Sequence, residues 1–499
     1  MNRRTFLAAS AGLPISLAAT RKLHRLPVDD VHYQHVHGYV EDVPVPEYQW
    51  APDSAYEAFR DIKYGVRIHW GIYSIWGAPG ESWPFLTMPN PKKQEYQQLY
   101  LTWNPQPFDA DAWMDLFADC GMKMFAFTTK HHDGFSLFDT KARVVRRVNY
   151  IAPGGPRIEP CNLAYSIMET PFRRDVTREL CQAARKRGIK IDLYFSHPDW
   201  YDADFRPYNF HPLQTPSSPE LAATRKRMGD LMIMAPEPTA AEVAHMMARH
   251  RQQLEELLTN YGPIDMLGLD QWLGKAVWPQ LRETILRLRR IQPNVMMRAR
   301  GIGNYGDYYT PENFVPGDKR NTGTPWFVIQ GLGASFSYDP NPADYKGAPW
   351  IIRTLLDAVS KGGNFMVGVG PDGSGRFHPT AVEQLREAGR WLRVNGEAIY
   401  ATRPRDGTLW REGEHVRFTR TKDRRYVYAL LLRWPGTDLR LESVRPKPGS
   451  AVQMLGYPPN LQWTHDSATG LTIRIPSDLQ DEAHRPCSIA WAIRMEAEA

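Results

Sequence analysis

Short apolar runs alternate with amphipathic stretches along most of the chain. Seven runs are mostly apolar and too short for independent helices, which is typical of strands buried in a parallel sheet. They begin at Gly65, Met122, Ile189, Ile264, Val295, Trp326 and Asn364. The amphipathic stretches predict helices over about residues 109–120, 174–187, 240–260, 281–291, 345–361 and 379–395. Repeated strand–helix units of this kind predict an α/β protein with a (β/α)8-like TIM barrel.

The alternation is interrupted in three segments, and the pattern changes near residue 405. Residues 20–55 have no clear period, and we interpret them as an arm packed on the barrel. Residues 139–170 and 201–238 are long and irregular, and such loops in compact domains are usually functional. From residue 405 onward, short alternating runs between turn residues predict a small antiparallel β-sandwich. The predicted domains are therefore 20–404, the arm with the barrel, and 405–499, the sandwich.

Residues 1–19 have the features of an export signal. Arg3 and Arg4 precede Phe6 and Leu7, and a run of small and apolar residues follows as far as Ala19. This pattern is typical of a twin-arginine signal, and the run is too short to remain as a membrane-spanning helix. We therefore expect the mature protein to be periplasmic or secreted, with no membrane contact after signal removal.

Composition and charge exclude several classes of protein. Charged residues make up 23% of the 499 positions, and the 61 basic residues are scattered rather than clustered. The net charge of +6 therefore indicates a mildly basic surface, and we expect no nucleic-acid partner. The four cysteines, Cys120, Cys161, Cys181 and Cys487, are widely spaced and contain no CxxC pair, so they predict neither a disulfide framework nor a zinc site.

Polar residues of the types used in catalysis lie where the predicted strands end. In α/β barrels this edge carries the active site. They are His69, Lys130, His131, His132, Asp133, Tyr194, His197, Asp270 and Arg300, with Glu312 in the glycine- and tyrosine-rich loop 301–316. Adjacent residues on a regular strand point to opposite faces. Both His131 and His132 can therefore reach one pocket only if the strand bends before them.

This set of side chains favours one kind of hydrolase over another. A metal hydrolase requires ligands at a fixed spacing, such as His-x-His on one strand. Here His69 is followed by Trp70, and the other two histidines are adjacent. A glycosidase requires two carboxylates beside a sugar, with neutral donors and acceptors around the sugar hydroxyls. Asp270 and Glu312 supply the carboxylates, and the histidines with an arginine supply the other contacts. We expect no metal and no organic cofactor.

Five motifs spread over residues 55–405 are more specific. They are Ile68-His-Trp-Gly-Ile-Tyr-Ser74, Lys130-His-His-Asp-Gly-Phe135, Gly306-Asp-Tyr-Tyr-Thr-Pro-Glu312, Gly362-Gly-Asn-Phe-Met-Val-Gly-Val-Gly-Pro371 and Trp391-Leu-Arg-Val-Asn-Gly-Glu-Ala-Ile-Tyr400. In this order they resemble the α-L-fucosidases of glycoside hydrolase family 29. The resemblance implies a retaining exo-glycosidase on a (β/α) barrel followed by a β-sandwich, in agreement with the fold predicted from the apolar pattern.

The resemblance implies a role for each matching residue. Asp270 is implied to be the nucleophile and Glu312 the general acid/base of a double displacement that releases terminal α-L-fucose. The substrate implied is a fucosylated oligosaccharide or glycoconjugate. The residues implied to bind the sugar or to steady the nucleophile are His69, Glu81, Trp83, His131, His132, Tyr194 and Arg300.

The chain departs from the family's pattern at three places. The family usually has Trp two residues before the nucleophile, where this chain has Gly268. A Glu-Trp pair is matched here by Glu81-Ser82-Trp83, and a Trp-Glu pair by Trp326-Phe327. These departures bear on the contacts at the rim of the sugar and on leaving-group preference more than on the type of reaction.

Two alternatives to a fucosidase stay open. The first is a related exo-glycosidase that acts on another sugar with a fucose-like hydroxyl pattern, such as an α-L-galactoside, and a site that tolerates a C6 hydroxyl would favour it. The second is a non-catalytic carbohydrate-binding protein that kept the barrel. The presence of both Asp270 and Glu312 argues against the second.

Overall fold

The computed structural model of the protein describes residues 26–27, 30–77, 79–205, 239–317 and 323–497. The predicted export signal and most of the predicted loop 201–238 lie outside the described residues. Within the described residues, no helix has both the length and the apolar character needed to span a membrane.

A parallel sheet forms the centre of the larger domain. The strands before residue 400 are β1 (Tyr64–Ile68), β2 (Met124–Lys130), β3 (Val144–Asn149), β4 (Arg157–Leu163), β5 (Lys190–Ser196), β6 (Met266–Asp270), β7 (Met296–Met297), β8 (Phe327–Gly331) and β9 (Asn364–Val369). Seven of them form one sheet in the order β7-β6-β5-β2-β1-β9-β8, and each neighbouring pair is parallel. Nearly all of their residues are buried, as expected for a parallel sheet that is covered on both faces.

Residues 307–313 close this sheet into a barrel by lying between β7 and β8. Tyr308 pairs with Arg298 just beyond β7, and Glu312 pairs with Ile329 on β8, both in the parallel sense. The segment thus occupies the place of an eighth strand, and the predicted (β/α)8-like barrel is confirmed. The interpretation of the segment that carries Glu312 as a loop is wrong, because its backbone hydrogen-bonds to strands on both sides.

The helices of the larger domain are α1 (Val31–Val36), α2 (Asp53–Ile62), α3 (Asn90–Gln98), α4 (Ala110–Asp119), α5 (Val176–Lys186), α6 (Ala240–Thr259), α7 (Trp278–Ile291), α8 (Ala348–Ser360) and α9 (Pro379–Asn395). Those from α4 to α8 return the chain from the carboxyl end of one barrel strand to the amino end of another. Their ends follow from local sequence. The Asp109 carboxylate accepts the N–H of Ala112 at the start of α4, and Thr239 with Glu242 forms a capping box at the start of α6.

Two segments that we expected to be irregular contain regular structure. Strands β3 and β4 form an antiparallel hairpin inside the predicted loop 139–170, and the predicted arm contains α1 and the start of α2. The hairpin carries charges on its exposed positions, including an ion pair between Arg147 and Glu159 at 2.9 Å. With Pro160 in its second strand and few apolar residues, it lacks the alternation that indicates a strand.

The C-terminal region is antiparallel and packs against the last barrel helix. Its strands are β10 (Arg403–Pro404), β11 (Arg411–Glu412), β12 (Val416–Arg420), β13 (Tyr426–Leu431), β14 (Asp438–Leu441), β15 (Val452–Met454), β16 (Asn460–Asp466), β17 (Gly470–Arg474) and β18 (Trp491–Glu496). The indole N–H of Trp391 on α9 donates to the carbonyl of Ala490 at 2.9 Å. The predicted antiparallel C-terminal domain is confirmed, while the boundary at residue 405 stays a prediction.

Candidate active site

Asp270 is the last residue of β6, and its carboxylate is the centre of a buried polar cluster. The hydroxyl of Tyr194 on β5 donates to Oδ2 at 2.6 Å. Oδ1 faces two guanidinium groups, Nη1 of Arg300 at 2.7 Å and Nη2 of Arg298 at 3.0 Å. Only 6% of Asp270 is exposed to solvent. The carboxylate is therefore held from three sides, which fixes its position before any ligand arrives.

The charges around Asp270 decide its protonation state. Burial by itself raises the pKa of a carboxyl group, but Arg298, Arg300 and then His132 oppose burial and hold the pKa of Asp270 well below its usual range. The Nε2 atom of His132 lies 4.0 Å from Oδ2. Asp270 is consequently a carboxylate at any pH near neutrality, as a nucleophile requires.

Glu312 lies beside Asp270 because both carboxylates contact the same nitrogen atom. Nη1 of Arg300 is 2.8 Å from Oε1 of Glu312 and 2.7 Å from Oδ1 of Asp270. These two distances limit the separation of Oδ1 and Oε1 to at most about 5.5 Å, which is shorter than the roughly 6.5–9.5 Å between the carboxyl groups of an inverting glycosidase. The Glu312 side chain is 32% exposed, against 9% for Asp270, so Glu312 lies on the solvent side of the pair.

The backbone turns sharply at each acidic residue of the site. Gln271 and Asn313, which directly follow Asp270 and Glu312, both have φ of 62°, and Glu81 itself has φ of 51°. Residues other than glycine rarely adopt this left-handed conformation, which costs of order 1–3 kcal/mol and is concentrated at functional sites. After Asp270 and Glu312, these turns end the strand-like pairing.

The three predicted histidines come together next to this pair. The ring centroids of His131 and His132 are 4.2 Å apart, and those of His69 and His131 are 5.3 Å apart. Both adjacent histidines can face the site because the pairing of β2 shifts between Thr128 and Lys130. This shift is the bend that the sequence required. Both Nδ1 atoms are held by serine hydroxyls, that of His131 by Ser82 and that of His132 by Ser196.

Burial keeps these histidines neutral. It lowers the pKa of His69 and His131 well below the usual range and that of His132 to about 4, although Asp270 acts in the opposite direction on each. A neutral imidazole has one donor and one acceptor nitrogen. With Nδ1 engaged by serine, Nε2 of His131 and of His132 is the atom that can contact a sugar hydroxyl.

The structure places Trp83 and Glu81 in different roles. The indole of Trp83 contacts the ring of His132 edge to face, with centroids 4.6 Å apart, and also contacts Trp200. Glu81 is 8% exposed, and its Oε1 accepts the backbone N–H groups of Phe336 and Ser337 at 2.9 Å and 2.8 Å. Trp83 therefore forms a wall of the site, whereas this oxygen of Glu81 anchors the loop after β8.

Helix α1 covers one side of the cluster, a contact that the sequence pattern did not indicate. The ring of His35 stacks on Trp272 with centroids 3.8 Å apart, and Trp272 follows Asp270 by two positions. His32 on the same helix is partly buried, and Arg300 and Asp270 both act on its charge. The N-terminal segment is therefore part of the site's surroundings rather than a remote arm.

Three charged residues beneath the site were also missed from the sequence. Arg67, Asp192 and Arg298 lie inside or just beyond barrel strands and are at most 1% exposed. Their signal was a charge within an otherwise apolar run, at Tyr-Gly-Val-Arg67-Ile and Lys-Ile-Asp192-Leu-Tyr. Across the described ranges, no group of three or more His, Cys, Asp or Glu side chains could hold a metal ion, and the absence of a metal requirement stays a prediction.

Comparison with known proteins gives a consistent result over both domains. The profile of the family described as alpha-L-fucosidase matches residues 44–397, and that of the alpha-L-fucosidase C-terminal domain matches residues 412–496. The tissue alpha-L-fucosidase of Homo sapiens is 27% identical over 469 residues, covering 88% of this chain and 88% of the relative. The alpha-L-fucosidase of Branchiostoma floridae is 26% identical and covers 88% of this chain and 92% of the relative.

Solved structures show the same arrangement of domains. The alpha-L-fucosidase isoenzyme 1 from Paenibacillus thiaminolyticus superposes with a TM-score of 0.72 at 25% identity, over 90% of this chain and 99% of that chain. The Thermotoga maritima alpha-fucosidase in complex with fucose shares the fold, with a TM-score of 0.67 at 24% identity, over 90% of this chain and 100% of that chain.

The fold, the paired carboxylates and these relatives define the class of the protein, which is a glycoside hydrolase. The family profile extends over most of the barrel and a second profile covers the sandwich. The chain therefore belongs to the α-L-fucosidases, glycoside hydrolase family 29.

Proposed function

We propose that the protein is a retaining exo-acting α-L-fucosidase that releases terminal α-L-fucose from fucosylated oligosaccharides or glycoconjugates by double displacement. The observation that carries this proposal is the nitrogen atom shared by the two carboxylates, Nη1 of Arg300. The upper limit of about 5.5 Å that it sets on the separation of the two contacting oxygens supports retention, because an inverting enzyme needs about 6.5–9.5 Å to admit its attacking water.

In the first step, Asp270 attacks the anomeric carbon while protonated Glu312 donates its proton to the leaving oxygen. The carboxylate charge on Asp270 disappears as the ester bond forms, and a negative charge appears on Glu312. Arg300 contacts both groups, so the charge moves from one side of a single guanidinium to the other. In the second step Glu312 accepts a proton from water, which attacks the glycosyl-enzyme and restores both carboxyl groups.

The surroundings support an exo-acting enzyme that binds one terminal sugar. His69, His131 and His132 are 6%, 3% and 1% exposed, so the carboxylates lie at the end of an enclosed site rather than in an open cleft. The neutral His131 and His132 offer their Nε2 atoms to the hydroxyls, and the indole of Trp83 offers an apolar face. Such a combination of an apolar wall with a few placed polar groups is typical of small-molecule sites.

Azide rescue of Glu312→Ala tests this mechanism. An aryl fucoside with an acidic phenol needs little protonation, so its first step should survive, and the fucosyl-enzyme should accumulate for lack of a base. Azide needs no general base and should restore turnover. Because azide displaces Asp270 from the opposite face, the product should be the α-configured fucosyl azide, identified by NMR.

Two matched variants make the result interpretable. Asp270→Ala should show no accumulation of intermediate and no α-configured azide product, since it cannot form the glycosyl-enzyme. Glu81→Gln should keep turnover of a poor leaving group within about tenfold of the parent, because Glu81 anchors a loop and transfers no proton. Full activity of Glu312→Ala on a poor leaving group would transfer the acid/base role to another carboxylate, with Glu81 the first candidate.

A panel of 4-nitrophenyl glycosides tests the identity of the sugar. We expect hydrolysis of the α-L-fucoside to be at least about tenfold more efficient, by kcat/KM, than that of the α-L-galactoside, which differs by one hydroxyl at C6. Equal or reversed rates would favour the α-L-galactosidase alternative. Binding of fucose without hydrolysis of any member of the panel would favour the non-catalytic alternative.

The N-terminal sequence supports a proposal about location. We infer from Arg3, Arg4 and the short apolar run to Ala19 that the protein is exported through a twin-arginine route and is periplasmic or secreted. N-terminal sequencing of the protein from the periplasmic fraction should find a start near residue 20. Replacement of both arginines by lysine should retain the protein in the cytosol, and recovery of intact Met1 only in the cytosol of the parent strain would overturn the proposal.

A further inference from the structure

A buried network of charges lies directly beneath the nucleophile. It consists of Arg67 on β1, Asp192 on β5 and Arg298 just beyond β7, which we call the barrel-floor network. These residues are 1%, 0% and 1% exposed. Burying a charge without a partner is costly, so three charges at this depth in the barrel are expected only where they compensate one another.

Asp192 is the acidic residue of this network. Burial raises its pKa to about 6, while the charges of Arg67 and Arg298 act in the opposite direction. Its two carboxyl oxygens have no hydrogen-bond partner among the described residues, so it acts on the arginines through electrostatic attraction over a longer distance than an ion pair.

The space that Asp192 occupies exists because residue 268 is glycine. A Cβ atom at position 268 would lie 2.9 Å from Oδ1 of Asp192 and 3.3 Å from Cα of Tyr194. Any side chain at this position would therefore press on the carboxylate. The departure at Gly268 and the presence of an acid at position 192 are thus two parts of one local arrangement.

The two arginines connect Asp192 to the residues of the site. Arg298 donates from Nε to the carbonyl of Leu269 and holds Nη2 at 3.0 Å from Oδ1 of Asp270. The guanidinium of Arg67 lies 3.9 Å from the ring centroid of Tyr194, and that of Arg298 lies 5.3 Å from it. Tyr194 is therefore packed between two cations while its hydroxyl binds the nucleophile.

Arg67 also fixes the state of His69. Its Nε–H donates to Nε2 of His69 at 3.2 Å, so Nε2 is the acceptor and Nδ1 carries the proton. Nδ1 lies 3.3 Å from the hydroxyl of Thr128, which itself donates to the carbonyl of Ile68. Both nitrogens of His69 are thereby engaged within the protein, in contrast to Nε2 of His131 and His132.

We propose that the barrel-floor network positions the catalytic machinery: Arg298 supports the charge and orientation of Asp270, Arg67 orders Tyr194 and His69, and the buried Asp192 offsets part of the charge of the two arginines. This inference rests on the proposed function of Asp270 as the nucleophile. Arg298 is a positioning residue in this scheme, since it acts through Asp270. The titratable and charged groups that face Asp270 from the surrounding elements are His32, Arg67, His69, His131, His132, Tyr194, His197, Arg298, Arg300 and Glu312.

The pH profile of Arg298→Met tests the support of Asp270. Removal of one of two cations should raise the pKa of Asp270, and because Asp270 acts as the carboxylate, activity should be lost at higher pH than in the parent. We expect kcat/KM at pH 7 to fall about 10- to 100-fold and its acid limb to move upward by about one pH unit or more. Arg298→Lys keeps the charge and should keep the acid limb near its original position.

A matched control separates this effect from loss of a buried ion pair in general. Arg289 is 6% exposed and pairs with Asp307 at 2.6 Å, but it does not contact Asp270. Arg289→Met should lower stability and leave the acid limb unchanged. An Arg298→Met enzyme whose rate is scaled down equally at every pH would show that Arg298 is only structural and would overturn the proposal.

A direct titration keeps the test independent of the proposed function. The pKa of Asp270 can be followed by carbon-13 NMR of labelled aspartate, with Asp270→Asn to assign the signal. A shift to higher pKa in Arg298→Met supports the network even if the protein hydrolyses no fucoside, in which case only the proposed function fails. An unchanged pKa overturns the support of Asp270 by Arg298, whatever the substrate.

Asp192→Asn tests the role of the counter-ion. This variant removes the acidic group that offsets the charge of the two buried arginines. We therefore expect the midpoint of thermal unfolding to fall by several degrees and kcat/KM to fall at least about tenfold at pH 7.5. If this variant does not fold, Asp192→Asn combined with Arg67→Met removes one cation as well and should recover folding. A single variant as stable and as active as the parent, or a double variant no more stable than the single one, would contradict the assignment of Asp192.

Discussion

The two ends of the barrel differ in how they treat charge and space. At the carboxyl ends of the strands, the upper end, charged groups are buried. At the amino ends, the lower end, there is an open pocket. The upper end contains Asp270 against two arginines, three neutral histidines and several aromatic rings, all in close contact. The lower end has a pocket of about 610 Å³ lined by apolar residues such as Phe59, Ile264 and Met266. Its charged pair, Lys190 and Asp265 at 2.7 Å, is about one-third exposed on each side.

The comparison separates a wide cavity from the candidate site of chemistry. The lower pocket has one partly exposed ion pair, whereas the carboxyl-end cluster shifts the pKa of Asp270 downward and that of each histidine away from the neutral range. Buried titratable groups with strongly shifted pKa values and specific partners indicate function. In barrels of this class, the amino end serves stability and the carboxyl end catalysis.

The largest expected effect contrasts two aspartates at opposite ends of β6. Asp270→Asn keeps the shape of the proposed nucleophile but removes its charge, and we expect kcat to fall by about 10⁴-fold or more. Asp265→Asn, at the amino end of the same strand, loses a partly exposed ion pair worth about 0–1 kcal/mol, while its amide oxygen can still accept the N–H of Ile191. It should retain kcat within about twofold. Steady-state kinetics with an aryl fucoside measure kcat of both variants. Equal losses of kcat would show that the two ends of the barrel do not differ in function.

A smaller effect is expected from the hydroxyl that binds the nucleophile. Tyr194→Phe removes a hydrogen bond of 2.6 Å to a charged group, worth about 1.5–3 kcal/mol, so kcat/KM should fall about 10- to 100-fold. The matched control is Tyr56→Phe, since Tyr56 donates to Asp307 at 2.9 Å away from the nucleophile. That control should lower the denaturation midpoint and change kcat/KM by less than about twofold.

At the amino end we expect a change in stability without a change in activity. The Gln292 amide accepts the N–H of Ile264 at 2.9 Å and donates to the carbonyls of Leu258 and Gly262. Gln292→Ala should therefore lower the free energy of unfolding by about 1–3 kcal/mol. Urea denaturation measures this loss, and kcat/KM should be unchanged at temperatures where the variant is folded. A selective loss of activity would show that the lower pocket takes part in function.

Chelation should have the smallest effect, which is none. The groups that stabilise charge at the carboxyl end are guanidinium and imidazole groups of the protein, and the proposed mechanism uses no metal. Dialysis against EDTA should leave kcat/KM unchanged. Loss of activity on dialysis with recovery on adding Zn²⁺ would instead support a metallo-hydrolase.

Much of the barrel was predictable from local sequence. A buried strand needs only a short apolar run, and a helix end needs only a capping residue, so β6, α4 and α9 were each anticipated to within a few residues. The candidate nucleophile followed from the same logic, because a polar residue that ends an apolar run in such a sheet must lie at the carboxyl edge. These features are set by neighbours along the chain.

What only the tertiary structure decided are the contacts between residues distant in sequence. Nothing local in Asp-Tyr-Tyr-Thr-Pro-Glu312 indicates the place of an eighth strand, since its pairing partners are supplied by β7 and β8. Likewise Arg67 and Asp192 are 125 positions apart, and each alone is an anomalous charge in a strand. The reason for burying these charges is that they offset one another inside the barrel. This electrostatic interaction exists only after folding has removed water and brought the charges together.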